Sequence, residues 1–230
     1  MEIRRESDML EPAKHWLQSL GLMTKTEFTT PWGVCDLVGC SLNRQKVADR
    51  LALRQRSVIG RPLRIAVLAC IPDRETGRTV TLKKLQRDHA GLVNAETIAT
   101  EVGRLVSARF VEVTPRGSFQ RVNGWLPLHD QLVTVELKLS RVREALSQAF
   151  ANRDLTSESY AAFPLAVARR VVNSRQIGQF EDSGVGVLGV IPSGCEVLLE
   201  PRSTGHNPDL VAQTHCVERF WNTHSKSKGS

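Results

Sequence analysis

One aspartate stands alone in an apolar run. Residues 33–40 read Gly-Val-Cys-Asp-Leu-Val-Gly-Cys, with Asp36 as the only charge. A carboxylate in such a strand is costly unless it is paired or bound to a metal ion. A second constellation begins 100 residues further along, at Glu136. Leu132–Leu139 alternates strictly: Val133, Val135, Leu137 and Leu139 point one way, and Thr134, Glu136 and Lys138 point the other. Glu136 and Lys138 therefore share a face. Alone, that pair reads as an ion pair on the solvated side of an edge strand. Together with Asp36 in its otherwise apolar strand, it reads as an acid and an amine held at a site.

Elements around these residues follow from periodicity and breakers. Met9, Leu10, Ala13, Trp16, Leu17 and Leu20 form one stripe of a helix over 7–20, ended by Gly21. Strand-like runs at 23–30 and 33–40 flank a turn at Pro31-Trp32-Gly33. A basic helical stretch covers 44–59, and Pro62 opens a helix over 62–71 that Pro72 stops. Thr81 and Asn94 read as N-caps of helices over 82–88 and 95–108. Two short strands, 110–114 and 118–122, flank Pro115-Arg116-Gly117. After the strand bearing Glu136 come a helix over 141–152, a strand over 159–163, a helix over 165–178 and strands over 185–191 and 195–200. The last 30 residues are polar, with a short helix expected over 208–220 and a loose Ser/Lys tail.

Charge is segregated along the chain. Residues 44–125 carry 16 Lys/Arg against 7 Asp/Glu, and the remainder carries 15 against 17. A basic middle in an otherwise neutral protein is the footprint of a polyanion binder. Five scattered cysteines with no Cys-x-x-Cys pair argue against structural zinc. No apolar run approaches the ~20 residues needed to cross a bilayer, and the charged N-terminus has no signal-peptide character. A cytoplasmic protein without membrane contact is expected.

Helix, strand, strand with Asp36, strand with Glu136-Leu137-Lys138, helix, strand: this arrangement resembles the PD-(D/E)xK nuclease superfamily. Asp36 matches the first acidic position, Glu136 and Lys138 match the (D/E)xK pair, and Cys35 stands in place of the proline. The resemblance covers residues 6–40 and 130–191. It implies an α/β (α+β) fold with a restriction-endonuclease-like central mixed sheet flanked by helices, its core formed by 1–43 and 128–201. It also implies a Mg²⁺ site, open to Mn²⁺, held by Asp36, Glu136 and the peptide carbonyl of Leu137, because magnesium takes oxygen ligands and only one or two carboxylates from protein. Lys138 would then orient the attacking water or stabilise charge on the phosphate. Glu6, preferred to Glu11, is the expected acid of the first helix, and Gln148 is the expected glutamine of the helix after the lysine strand.

The long span between Asp36 and Glu136 is explained by an insertion. Residues 44–127 follow the order helix, short helix, longer helix, hairpin, which is the winged helix-turn-helix pattern. Helix 95–108 would enter the major groove of duplex DNA with Asn94, Glu96, Thr97, Thr100 and Arg104 outward. Lys83, Lys84 and Arg87 would lie near phosphates, and Arg116 and Arg121 on the wing. Few of these are bidentate base readers, so strong sequence specificity is not expected. Residues 202–230 read as a polar C-terminal extension. The expected activity is a metal-dependent DNA endonuclease, acting as a homodimer or within a larger DNA-processing complex. The alternative is an inert DNA-binding regulator, or a subunit of a transposition, repair or phage-defence complex.

Overall fold

A computed structural model describes residues 3–30, 32–122 and 127–227. In chain order the elements begin with α1 (Ser7–Ser19), β1 (Met23–Thr30), β2 (Gly33–Leu42), α2 (Arg44–Ala52) and α3 (Pro62–Ala69). Next are α4 (Leu82–Asp88), α5 (Ala95–Ser107), β3 (Val111–Val113), β4 (Phe119–Arg121) and β5 (His129–Leu137). The chain continues with α6 (Val142–Ala151), β6 (Glu158–Pro164), α7 (Leu165–Val172), α8 (Ile177–Ser183), β7 (Gly186–Ile191), β8 (Gly194–Leu199) and α9 (Leu210–Ser227). Pro31 of the expected first turn and the last three residues of the expected tail lie outside the described residues. The chain forms two compact units, one of residues 1–41 and 129–213, the other of 42–128 and 214–230.

The first unit is a mixed α/β fold. Its six-stranded sheet runs β1-β2-β5-β6-β7-β8, with β5, β6 and β7 mutually parallel and β1 and β8 joined antiparallel to their neighbours. Strand alternation sorts side chains to two faces. On one face Met9, Ala13 and Leu17 of α1, spaced four apart, pack on Leu37, Val133, Val135, Leu137, Ala162 and Leu188. On the other, Ala145 and Ala149 of α6 pack with Ala161, Phe163, Ala168, Phe180 and Val187. Small residues dominate that second layer where α6 approaches. Gly186 admits the Tyr160 ring, which a Cβ there would meet at 2.5 Å.

β5 lies between β2 and β6, so it is an internal strand. Both of its faces are covered: Thr134, Glu136 and Lys138 are as buried as Val133, Val135 and Leu137. A solvated ion pair on an edge strand is thereby excluded.

Three expectations give way here. The basic helical stretch expected over 44–59 is helical only as α2, Arg44–Ala52. The helix expected over 165–178 divides into α7 and α8, with Ser174 Oγ capping the Val171 carbonyl and accepting from Gln176 N. The expected extension over 202–230 is not separate. Arg153, fully buried, ties the 202–204 segment through the Arg202 carbonyl (3.0 Å) and Thr204 Oγ1 (3.2 Å). From Thr214 onward the chain belongs to the second unit, where Cys216, Val217, Phe220 and Trp221 are buried.

In the second unit α3, α4 and α5 bury Ile65, Leu68, Leu85, Ile98, Val102 and Leu105, and the β3–β4 hairpin follows. Thr81 and Asn94 cap α4 and α5 by accepting from Lys84 N and Thr97 N. Arg50, fully buried, is sandwiched between the Phe110 and Trp221 rings, 5.1 and 4.3 Å from their centroids. It pairs with buried Glu218 of α9, which also accepts from Ile59 N at 2.8 Å. A lone buried charge would be prohibitive; this pair is completed by backbone groups on both sides.

Candidate metal centre

The site forms where β2 and β5 meet. Gln131 N donates to Ser41 Oγ at one end of the pair, and Leu137 N donates to Asp36 Oδ2 at 2.8 Å at the other. Residue numbers rise on one strand as they fall on the other, so the two run antiparallel. The Asp36 carboxylate takes the amide of Leu137, leaving its other oxygen for another partner. Asp36 is half-buried; Glu136 and Lys138 are 1% and 5% exposed.

Lys138 Nζ stands 3.7 Å from Asp36 Oδ2 and 3.9 Å from Glu136 Oε2. Both distances exceed a hydrogen bond, so the ammonium acts as a charge shared by two acids. Asn152 Nδ2 donates to Glu136 Oε1 at 2.6 Å. Glu136 Oε2 is buried and has no hydrogen-bond partner. Burial and the Asp36 charge raise the Glu136 pKa to about 7, against the lowering pull of Asn152 and Lys138. Below neutrality Glu136 thus keeps a proton that a cation could replace.

The other residues sort by their surroundings. Cys35 is buried, and burial, reinforced by Glu136, pushes its thiol well above the ordinary range, which makes it an inert packing group. Glu6, just before α1, accepts from Leu139 N (3.4 Å) and Arg141 (3.3 Å). It lines a cavity of about 220 Å³ with Ser7, Leu10, Glu27, Asp36 and Leu137. Glu11 is instead paired with Lys14 at 3.2 Å and does not line that cavity.

Gln148 requires correction. It is exposed, because the inward side of α6 is Ala145 and Ala149, and among the described residues no hydrogen bond joins it to Asp36 or Glu136. Asn152, three residues beyond Ala149, reaches Glu136 instead. Glu27 joins these residues without a signal in the sequence. Thr26 pairs with Leu37 and Phe28 with Cys35, which leaves Glu27 opposite Asp36 at φ 48°. A non-glycine residue there stores of the order of 1–3 kcal/mol of strain.

A hard divalent cation suits this donor set. Among the described residues no three His, Cys, Asp or Glu side chains gather as ligands. The candidate set is two carboxylates, Asp36 and Glu136, and the Leu137 peptide oxygen. Magnesium characteristically takes few protein carboxylates and keeps its waters. Glu136 Oε2, buried, making no hydrogen bond and facing Lys138 Nζ at 3.9 Å, is the oxygen a metal ion would take.

Of the candidate DNA contacts, Lys83, Lys84 and Arg87 are exposed on α4, with Lys84 also 2.8 Å from Asp88. Arg116 is exposed at the β3–β4 turn, and Thr100 is exposed on α5 while Thr97 is half-buried. Glu96 is exposed, and Asn94 is committed to its cap. Arg104 is held at 2.7 Å by Glu101, which is buried and also bound by Arg64 at 2.5 Å. Burial opposes the charge on Glu101, but Arg64 and Arg104 outweigh it and lower its pKa. Arg121 is corrected: its side chain is 15% exposed and faces Asp73 at 3.5 Å, because β4 bridges the 72–73 segment through Arg121 N and the Pro72 carbonyl. It is a structural residue of the hairpin.

No family model, no curated protein and no solved structure matches this chain.

Proposed function

We propose that this chain is a divalent-metal-dependent DNA endonuclease of the PD-(D/E)xK type, with a restriction-endonuclease-like first unit and a winged helix-turn-helix as the second. One observation carries the reading: Asp36 and Glu136 converge on the Lys138 ammonium, and the buried Glu136 Oε2 faces that charge at 3.9 Å without making a hydrogen bond. Asp36, Glu136 and the Leu137 carbonyl would hold Mg²⁺ or Mn²⁺. The cation supplies polarisation of a phosphoryl oxygen and a more acidic attacking water. Lys138 places a positive charge where the phosphate gains negative charge, in a buried setting where that charge counts for most. Glu6 and Glu27 border the same cavity as Asp36 and would orient water there.

The exposed Lys83, Lys84, Arg87 and Arg116 would engage the phosphates of duplex DNA, which positions a protein without reading sequence. Cutting both strands calls for two such centres, and hence a second copy or a partner subunit. No described helix is long and apolar enough to cross a membrane; we assign action on cytoplasmic DNA.

The test is cleavage of plasmid and oligonucleotide DNA with Mg²⁺ and with EDTA. The reading expects Mg²⁺-dependent nicks that disappear in Asp36→Ala, Glu136→Ala and Lys138→Ala. Undiminished cleavage in all three ends it. A second reading, an inert core on a DNA-binding protein, is favoured by Lys138 itself, which already neutralises part of the acid pair. DNA binding with no heat of Mg²⁺ binding would select it.

A further inference from the structure

Glu136 is held by a side chain that is itself held. Asn152 is 2% exposed and sits in the 3-10 turn Asn152–Asp154 that follows α6. Its Nδ2 donates to Glu136 Oε1 at 2.6 Å, and its Oδ1 accepts from Trp32 Nε1 at 3.3 Å. An indole N–H can only donate, so Trp32 demands the amide oxygen and turns Nδ2 toward Glu136 Oε1; a flip would lose the Trp32 bond. The turn is secured from behind by Arg153, bonded to the Arg202 carbonyl and Thr204, and by His206 against Asp154 at 2.8 Å.

We propose that Asn152, oriented by Trp32, is the positioning residue of the metal centre, fixing one Glu136 oxygen so that the other is presented to the cation. The proposal rests on the metal-centre reading above and deepens it. Asn152 touches neither the cation position nor Lys138; it acts by restricting Glu136. Without it the carboxylate could turn about its last torsion, and Oε1 would be a second buried oxygen in need of a donor. An aspartate at 152 would set one carboxylate against another while leaving the volume unchanged. Trp32 lies on the β1–β2 turn and is 37% exposed, so changing it disturbs no core.

The experiment is calorimetric Mn²⁺ titration of the full chain without DNA, for wild type, Asn152→Ala, Asn152→Asp and Trp32→Phe, joined to cleavage kinetics against Mg²⁺ concentration. Outer partners of metal ligands typically contribute about 10- to 100-fold in affinity. Asn152→Ala and Asn152→Asp should weaken Mn²⁺ binding within that range, and Trp32→Phe should weaken it less, in the same direction. KM for DNA should stay level while half-saturating Mg²⁺ rises and excess Mg²⁺ restores turnover in Asn152→Ala. A purely structural role would lower thermal stability and shift KM without moving cation affinity. If wild type binds Mn²⁺ and the folded Asn152 and Trp32 variants bind it equally well, the positioning role is wrong and the metal centre stands. If wild type binds no Mn²⁺, both fall together.

Discussion

Replacing the buried acid by its amide should make the protein more stable while removing its activity. In Glu136→Gln the amide keeps the shape, its oxygen still accepts from Asn152, and its nitrogen can donate toward Asp36. The gain comes from the proton that wild-type Glu136 must lose. Its folded pKa is about 7 against an ordinary value of 4.5, chiefly from burial and then from Asp36. Between those values the unfolded chain has released the proton and the folded chain still keeps it, so wild-type stability falls as pH rises through that window and levels above it. At roughly 1.4 kcal/mol per pH unit the loss is about 3 kcal/mol. Urea unfolding at pH 8 without divalent cations should therefore show Glu136→Gln more stable by about 3 kcal/mol, a gap that closes below pH 4.5. Most substitutions at buried positions destabilise, which makes this direction discriminating. Mg²⁺ should stabilise wild type, by about 2.7 kcal/mol at a hundredfold excess over Kd, and leave the variant unchanged. If Glu136→Gln is less stable than wild type at pH 8, or the gap is the same at every pH, the account of the acid pair is wrong.

Cation binding should be linked to protons. Calorimetry in buffers of different ionisation enthalpy should show Mg²⁺ displacing close to one proton at pH 6 and almost none at pH 8.5, since Glu136 titrates at about 7. Breaking the Arg50–Glu218 pair by Glu218→Ala should cost about 3–5 kcal/mol in urea unfolding, whereas the double change Arg50→Met, Glu218→Leu should recover only part of it, because Ile59 N and the Gln55 and Ser57 carbonyls lose their partners. Each of Lys83→Ala, Arg87→Ala and Arg116→Ala should reduce the salt slope of DNA binding by about 1, while Arg121→Ala should reduce thermal stability and leave that slope alone. Gln148→Ala should bind Mn²⁺ like wild type in the same titration that separates Asn152→Ala.

Asp36, Glu136 and Lys138 stand out in the sequence because each breaks an apolar pattern whose period names the strand. β2 is apolar on both sides of Asp36, and β5 alternates around Glu136. The individual strands and helices follow from such patterns, which depend on near neighbours along the chain; their joining into one mixed sheet is what the family resemblance implies. What escaped depends on distant partners. α9 looks polar because its buried stripe includes Thr214 and Glu218, and Glu218 is made tolerable by Arg50, 168 residues away. Asn152 looks like a helix-end residue, and its partners, Glu136 and Trp32, lie on other elements. Glu27 reads as one more exposed position of an alternating strand; its backbone departs from the strand only where β1 passes Asp36. The break between α7 and α8 has no proline or glycine to mark it, only Asn173 and Ser174.

A crystal grown with Mn²⁺ and measured at the manganese edge tests the central claim most directly. The account predicts an anomalous peak roughly 2–2.3 Å from an Asp36 oxygen and Glu136 Oε2, the range of oxygen ligands to such ions, with Oε1 still on Asn152. A map with no peak there, and Glu136 Oε2 bonded to Lys138 Nζ instead, would contradict it.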